Sequence, residues 1–311
     1  MKTLQFNRRK LLKAALFTSA AFLASPMGRA RAQALAGKTV IVVGAGVAGL
    51  TAAKTLKNQG ADVIVLEANP HIGGRLRTDW SMGAPFEVGA GWIHGPSDDN
   101  PAKQLADAVG SQYVVTDDDN LVVFDGAGEE ISEEELEDIN DSWTDILDKI
   151  DESLESGDRR SVLEAINDVA PGAMNEPGVA WAMSAYTEFS TGAPLENLSA
   201  YYFNSDKAFD LPDVAVTTGY DKLLGPLADG LDIKLSTIVT QIAYGDEGVT
   251  VSTDKGDFDG DYVVSSLPLG VLKAKAVAFD PPLPDDHQSN IDNLAFGTVT
   301  KLALKFAEPF W

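Results

Sequence analysis

Cysteine is absent from all 311 residues. Its absence excludes disulfides, thiolate metal sites, a cysteine nucleophile and any cofactor tether through sulfur. It is compatible with an oxidising compartment without establishing one. Histidine is scarce, with three residues, so a transition metal has few imidazoles and no thiolates to draw on, and no metal site is expected. No Ser-His-Asp set competes for chemistry. Long apolar runs are also lacking: Ala14–Ala24 is about half of what a bilayer span requires, so no stable membrane anchor is expected. There is no internal repeat and no low-complexity tract.

Positive charge is most concentrated at the start. The chain has 24 basic and 47 acidic side chains, for a formal charge of −23. Seven of the basic residues, and none of the acidic ones, fall within the first 32 positions, which leaves a body of −30. So acidic a body argues against nucleic acid and anionic lipid as partners. It suits a cationic substrate, and it equally serves the solubility of an exported protein. With 44% hydrophobic residues, a chain of this length can bury a sizeable core in two domains.

The N-terminus has the form of an address. Asn7-Arg8-Arg9-Lys10-Leu11-Leu12-Lys13 precedes the apolar run, and Ala30-Arg31-Ala32-Gln33-Ala34 follows it. A charged start, a short apolar centre and an A-x-A exit make a signal peptide over residues 1–32. The paired arginines resemble a twin-arginine export signal, although Asn7 stands where Ser or Thr is more usual. Cleavage after Ala32 and after Ala34 are equally compatible with the sequence. The expected location is periplasmic or secreted, reached through the twin-arginine export machinery.

Lys38–Val43, KTVIVV, is a nearly unbroken β-branched run of the kind buried on both faces of a parallel sheet. It runs directly into Gly44-Ala45-Gly46-Val47-Ala48-Gly49, then into a helix ending near Gly60, and then into a second buried strand, Ala61–Leu66, closed by Glu67. Gly44 permits the tight turn, Gly46 lets the backbone approach a pyrophosphate, and Gly49 lets helix and strand pack closely. The helix N-terminus offers N–H groups to the phosphates, and Glu67 can accept hydrogen bonds from both ribose hydroxyls. A strand, a glycine turn, a helix and an acid about 20 residues on form a dinucleotide-binding unit, which does not by itself separate NAD from FAD.

Further motifs make that choice. In Pro70-His71-Ile72-Gly73-Gly74-Arg75-Leu76-Arg77-Thr78, two glycines again allow close backbone approach, and Arg75 brings a planar fork suited to phosphate oxygens. GAGVAGL, LEA and GGRLRT in this order resemble the flavin-containing amine oxidase family, which includes monoamine and polyamine oxidases. Phe86-Glu87-Val88-Gly89-Ala90-Gly91-Trp92-Ile93-His94-Gly95 is similar to the family segment beside the isoalloxazine ring, and its WIHG form most resembles polyamine oxidases. Thr218–Leu223, Leu231–Val239, Ser266–Lys273, Phe279–Pro284, Lys301–Phe306 and Pro309-Phe310-Trp311 also resemble family motifs. The likeness runs from about Lys38 to Trp311. It departs from the family at Asn69, where an arginine is common after the ribose acid. Members also continue past the counterpart of Trp311, so the resemblance implies an incomplete chain.

The implied fold is α/β: a Rossmann-like FAD-binding domain, 38–95 with 214–280, interleaved with an incomplete α+β substrate domain, 96–213 with 281–311. In the insertion, Ser132-Glu133-Glu134-Glu135 reads as a capping-box start. Leu136, Ile139, Trp143, Ile146, Leu147, Ile150 and Leu154 then recur at helical spacing, with Gly157 as a stop. Further helices are expected over Ser161–Val169 and around Val179–Phe189, a β-meander over Leu231–Val264, and an alternating strand over Val299–Phe306.

The resemblance also implies the chemistry. Gly44, Gly46, Gly49, Glu67, Gly74, Arg75, Gly91, Trp92 and Val239 are expected to bind FAD, which cysteine does not tether. Lys301 corresponds to the family lysine that reaches flavin N5 through a water and assists the reaction with oxygen. By periodicity alone it is a solvent-facing strand lysine, like Lys305. His94, structural by default, gains a substrate-orienting role from its place in WIHG. The expected reaction is binding of a neutral amine, hydride transfer to flavin N5, hydrolysis of the released imine and reduction of oxygen to hydrogen peroxide. An L-amino-acid oxidase of the same superfamily and an inactive flavin-binding protein are the alternatives.

Overall fold

The computed structural model describes residues 35–116, 121–205 and 209–308; the expected signal peptide and the Pro309-Phe310-Trp311 motif lie outside them. The chain forms two compact units. One contains the described residues through Gly91 together with Thr218–Asn293, and the other contains Trp92–Thr217 and the segment from Leu294 onward.

The first unit is built on a parallel sheet. Thr39–Val43 lies between Asp62–Leu66 and Tyr262–Ser265, and Asp232–Lys234 extends the sheet beyond Asp62–Leu66. Val40, Ile41, Val42 and Val43 are all buried, as a strand covered on both faces requires. Helix Val47–Asn58 buries Gly49, Leu50 and Ala53. Ile41, Val43 and Leu66 also share an apolar cluster with Val239, Ile242, Val251 and Val277 of the adjoining β-layer.

That second layer is the middle of the expected meander; its two ends, Asp232–Lys234 and Tyr262–Ser265, belong to the parallel sheet instead. Val239–Gly245, Gly248–Thr253 and Gly256–Gly260 pair antiparallel in succession, and Ala278–Asp280 joins Val239–Gly245 in parallel. The chain then changes sheets. Asp261 accepts the Thr39 N–H at 2.8 Å and the Lys38 ammonium at 2.6 Å, which fixes Tyr262–Ser265 beside the first strand. The Lys38 bond holds the Asp261 carboxyl below the usual carboxylate range.

The second unit is a helical layer with a small sheet. Helix Glu133–Ser153 starts at Ser132, whose hydroxyl accepts the Glu135 N–H at 3.2 Å. The full reciprocal box forms instead at helix Val162–Val169, where Ser161 Oγ accepts the Glu164 N–H at 3.1 Å and Glu164 accepts the Ser161 N–H at 2.8 Å. Ile146, Ile150, Val162, Ala165, Ile166 and Met183 form the core between these helices. The long helix stops at Ser153, short of Gly157, which sits at φ +81° in the turn beyond. Pro177–Ala182 continues through a π-helical stretch, Met183–Glu188, into Phe189–Thr191.

Two expectations change. The unit boundaries move because Trp92 and Ile93 pair with Ala215 and Val214, drawing both segments into the second unit. Helix Asp285–Asn293 stays with the first, where Lys273 donates to the carbonyls of Ile291 and Asp292 at 3.1 and 2.9 Å. The expected strand over Val299–Phe306 does not form. Alternation alone cannot make a strand, because a strand also needs a regular ladder, and the backbone here is irregular. Leu302 is 82% exposed and Leu304 67%.

Candidate functional site

The first unit gathers its motifs around the N-terminus of helix Val47–Asn58. Gly44 turns the chain at φ +102°, and its N–H bonds to the Leu66 carbonyl at 2.8 Å. A Cβ on Gly49 would lie 2.0 Å from the Gly44 oxygen, so glycine is what lets the helix meet the turn. Ser266 closes the same corner, its hydroxyl donating to the Val43 carbonyl at 2.9 Å. Gly46 caps the helix with no side chain of its own, and the first turn contains no acid. The first-turn N–H groups and the positive end of the helix dipole are therefore available to an anion.

Two segments frame this end. Gly73 forms an isolated parallel bridge with Gly46, and its N–H donates to the Ala45 carbonyl at 2.8 Å. A Cβ on Gly74 would lie 3.6 Å from Gly46 Cα, and a Cβ on Gly46 would meet only the Gly73 oxygen, at 3.9 Å. With hydrogen at both positions, no side chain from these glycines covers the helix end. Arg75 is exposed, and among the described residues its guanidinium has no hydrogen-bond or ion-pair partner.

Glu67 is 6% exposed. Its Oε2 accepts the Ala45 N–H at 2.7 Å, and its Oε1 accepts the Asn69 N–H at 2.9 Å and the Asn69 amide at 2.8 Å. A carboxylate offers about four lone pairs. Three are used, leaving room for one ribose hydroxyl where two were expected. Asn69, in the position where arginine is common, therefore braces the acid. Ser236 and Thr237 donate to the carbonyls of Asn69 and Glu67, bringing the chain that leads to buried Val239 alongside.

The GGRLRT and FEVGAG segments run together. Thr78 and Asp79 pair with Glu87 and Phe86, and the Ala90 N–H donates to the Arg75 carbonyl at 3.0 Å. A Cβ on Gly91 would lie 3.0 Å from Glu87 Cβ. Glu87 ties three motifs together: it accepts the Thr78 hydroxyl at 2.8 Å and the Tyr220 N–H at 2.8 Å. Burial, with the Glu87 charge second, raises the Tyr220 phenol above its ordinary value. In the sequence nothing marks Glu87 for this role, since only the fold shows what it joins.

The second unit holds the remaining candidates. Trp92 is 44% exposed on its short strand, and the Lys301 ammonium stands 5.7 Å from its ring centroid. His94 is exposed, and its Nδ1 lies 2.5 Å from Asp213 Oδ2. Nothing in the sequence singles out Asp213; it sits just before strand Val214–Val216, far along the chain. Among the described residues no group of three or more acids and histidines is placed to hold a metal ion, and no helix is long and apolar enough to cross a membrane.

These features fit FAD: an uncapped glycine helix end for the pyrophosphate, an unpaired arginine beside it and a braced acid for the ribose. Comparison with known proteins agrees. Residues 47–311 match the family of flavin containing amine oxidoreductases. Polyamine oxidase 4 of Oryza sativa subsp. japonica is 32% identical over 295 residues, covering 88% of this chain and 60% of that protein. Polyamine oxidase 2 of Arabidopsis thaliana is 32% identical over 291 residues, covering 88% and 59%. The chain thus spans about 60% of the length of these relatives. A solved structure of wild-type putrescine oxidase bound to putrescine shares the fold, with a TM-score of 0.63 at 22% identity over 81% of this chain and 62% of that one. The chain belongs to the flavin containing amine oxidoreductase family.

Proposed function

We propose that the protein, loaded with non-covalently held FAD, oxidises a polyamine or a related primary or secondary amine. The observation that carries this reading is the glycine cradle over the Val47–Asn58 helix end, in a chain whose relatives include polyamine oxidases. Bound flavin supplies the two-electron acceptor for hydride from the C–H bond beside nitrogen and passes the electrons to oxygen, giving hydrogen peroxide.

The chain's own residues bind and orient. Gly44, Gly46, Gly49, Gly74 and Arg75 hold the pyrophosphate; Glu67 holds the ribose. Val239 flanks the adenine end, and Gly91 lets its segment approach closely. Trp92 supplies an aromatic wall and His94 a polar contact for the amine. Lys301 orients water for the reaction with oxygen. The substrate nitrogen must be neutral, because an ammonium has no lone pair to stabilise the forming imine, which water then hydrolyses. The rate of substrate oxidation therefore rises with pH through the amine's own pKa.

A panel of polyamines, monoamines and L-amino acids with peroxide readout tests the substrate class. Turnover of polyamines supports the reading. Turnover of L-amino acids alone contradicts it in favour of an amino-acid oxidase, and a yellow protein reduced by no amine contradicts it in favour of a flavin-binding protein without turnover. We also propose twin-arginine export, on the Arg8-Arg9 pair and the A-x-A exit. Replacing both arginines with lysine is expected to leave the protein in the cytoplasm; unchanged export would contradict the assignment.

A further inference from the structure

Both carboxylate oxygens of Asp213 are bonded to the turn that carries His94, and its main-chain carbonyl is held by Thr116. Its Oδ2 meets His94 Nδ1 at 2.5 Å, its Oδ1 accepts the Gly95 N–H at 3.0 Å, and its main-chain carbonyl accepts the Thr116 N–H at 2.9 Å and the Thr116 hydroxyl at 3.1 Å. The turn is fixed from the other side as well. Asn100, 4% exposed, donates to the carbonyls of His94 and Gly95 at 2.8 and 3.1 Å. Gly95 sits at φ +59°, where a Cβ would lie 2.4 Å from the Phe209 oxygen. The backbone of the WIHG turn is thus locked, and one edge of the imidazole is clamped. Yet 78% of the His94 side chain is exposed.

An ionised carboxylate can only accept hydrogen bonds. The proton between Asp213 and His94 therefore belongs to Nδ1, and in the neutral ring this leaves Nε2 as a bare lone pair. We infer that Asp213 is a positioning residue that fixes the Nδ1–H tautomer of His94, so that Nε2 accepts an N–H from the amine substrate. The neutral ring then rewards a donor and repels an acceptor. An amine N–H is drawn to it, while an acceptor oxygen presented to the same atom is not. This inference rests on the amine-oxidising reading above and adds to it the residue that sets the polarity of the contact.

The test uses the full-length, flavin-loaded protein with 15N-labelled histidine. Long-range proton–nitrogen correlation spectra distinguish the two tautomers, and His94→Gln identifies the His94 signals among those of His71 and His287. The Nδ1–H pattern is expected; an Nε2–H pattern would overturn the inference. Asp213→Asn can turn its amide N–H towards Nδ1, switching the ring to Nε2–H. It is expected to raise the KM for the amine ten- to a hundredfold while kcat changes much less. In a His94→Gln background, where the shared contact is already lost, the same substitution is expected to add nothing. An unchanged tautomer and KM in Asp213→Asn, or an equal loss in the His94→Gln background, would overturn the inference. If Asp213→Asn fails to fold, the tautomer of the unsubstituted protein and the KM of His94→Gln decide, an unchanged KM counting against it. Flavin reduction by a polyamine in the unsubstituted protein reports on the amine-oxidising reading separately, so failure of one is distinguishable from failure of the other.

Discussion

The ammonium of Lys301 stands 5.7 Å from the centre of the Trp92 ring. The two residues are far apart in sequence, yet they are the tryptophan of the WIHG turn and the lysine singled out for the reaction with oxygen. A cation over an indole face gains about 0.5–1 kcal/mol at an exposed site, enough to bias where a flexible lysine points. The segment carrying Lys301 has no strand pairing among the described residues, so this contact helps to place it.

Lys301→Met removes the charge and keeps the chain length. Removing a group that positions a proton or water in the reacting complex typically costs on the order of a hundredfold. Stopped-flow measurement of the two half-reactions is expected to show reoxidation by oxygen slowed by about that factor, with reduction by the amine changed only a few-fold. Equal slowing of both would assign the lysine to general integrity.

Gly46 and Gly49 make opposite predictions from one turn. A methyl on Gly49 would press on the Gly44 oxygen at 2.0 Å. Gly49→Ala is therefore expected to destabilise the protein by about 1–3 kcal/mol, measured by chemical denaturation. A methyl on Gly46 meets nothing closer than 3.9 Å, so Gly46→Ala is expected to fold normally. It nonetheless fills the space assigned to the phosphates, and FAD affinity is expected to fall at least about tenfold, or 1.4 kcal/mol.

Glu67→Gln places an amide among three donors, those of Ala45 and Asn69. At least one buried N–H loses its acceptor, at a cost of about 1–3 kcal/mol. Stability without flavin is expected to fall by that amount, and FAD binding with it. A variant as stable as the parent would show that the acid is not braced in this way.

Tyr220 gives a pH dependence with a definite sign. It is 5% exposed, and burial together with Glu87 raises its phenol above the ordinary value near 10. Between the ordinary and the raised value the folded state retains a proton that the unfolded state has lost. Its contribution to stability is thus fully present below about pH 10 and is lost as pH rises from there through the folded value. Tyr220→Phe is expected to flatten that decline, checked by denaturation midpoints across the alkaline range.

The strand–turn–helix–strand frame of the proposed nucleotide site was legible in the sequence because its signals are local. A β-branched strand, three glycines at fixed spacing and an acid closing the next strand each follow from what one turn demands. Glu67 was found the same way, although its bracing by Asn69 needed the folded backbone to be seen. The Asp213 clamp was not legible, since nothing in Leu211-Pro212-Asp213 marks an aspartate that bonds a histidine in another segment. Val299–Phe306 failed in the opposite direction: its alternation is real, but a strand is a property of a ladder between two segments, which alternation in one segment does not supply. The capping box moved from Ser132 to Ser161 for a similar reason, since serine and glutamate at the right spacing permit the reciprocal bonds without enforcing them.

The most direct test of the account is anaerobic mixing of the full-length, FAD-loaded protein with a polyamine while the visible flavin band is followed. The account predicts stoichiometric bleaching, at a rate that climbs with pH through the pKa of the amine, and recovery of the band with one hydrogen peroxide formed when oxygen is admitted. Protein that takes up FAD but is not bleached by any polyamine at any pH would contradict it.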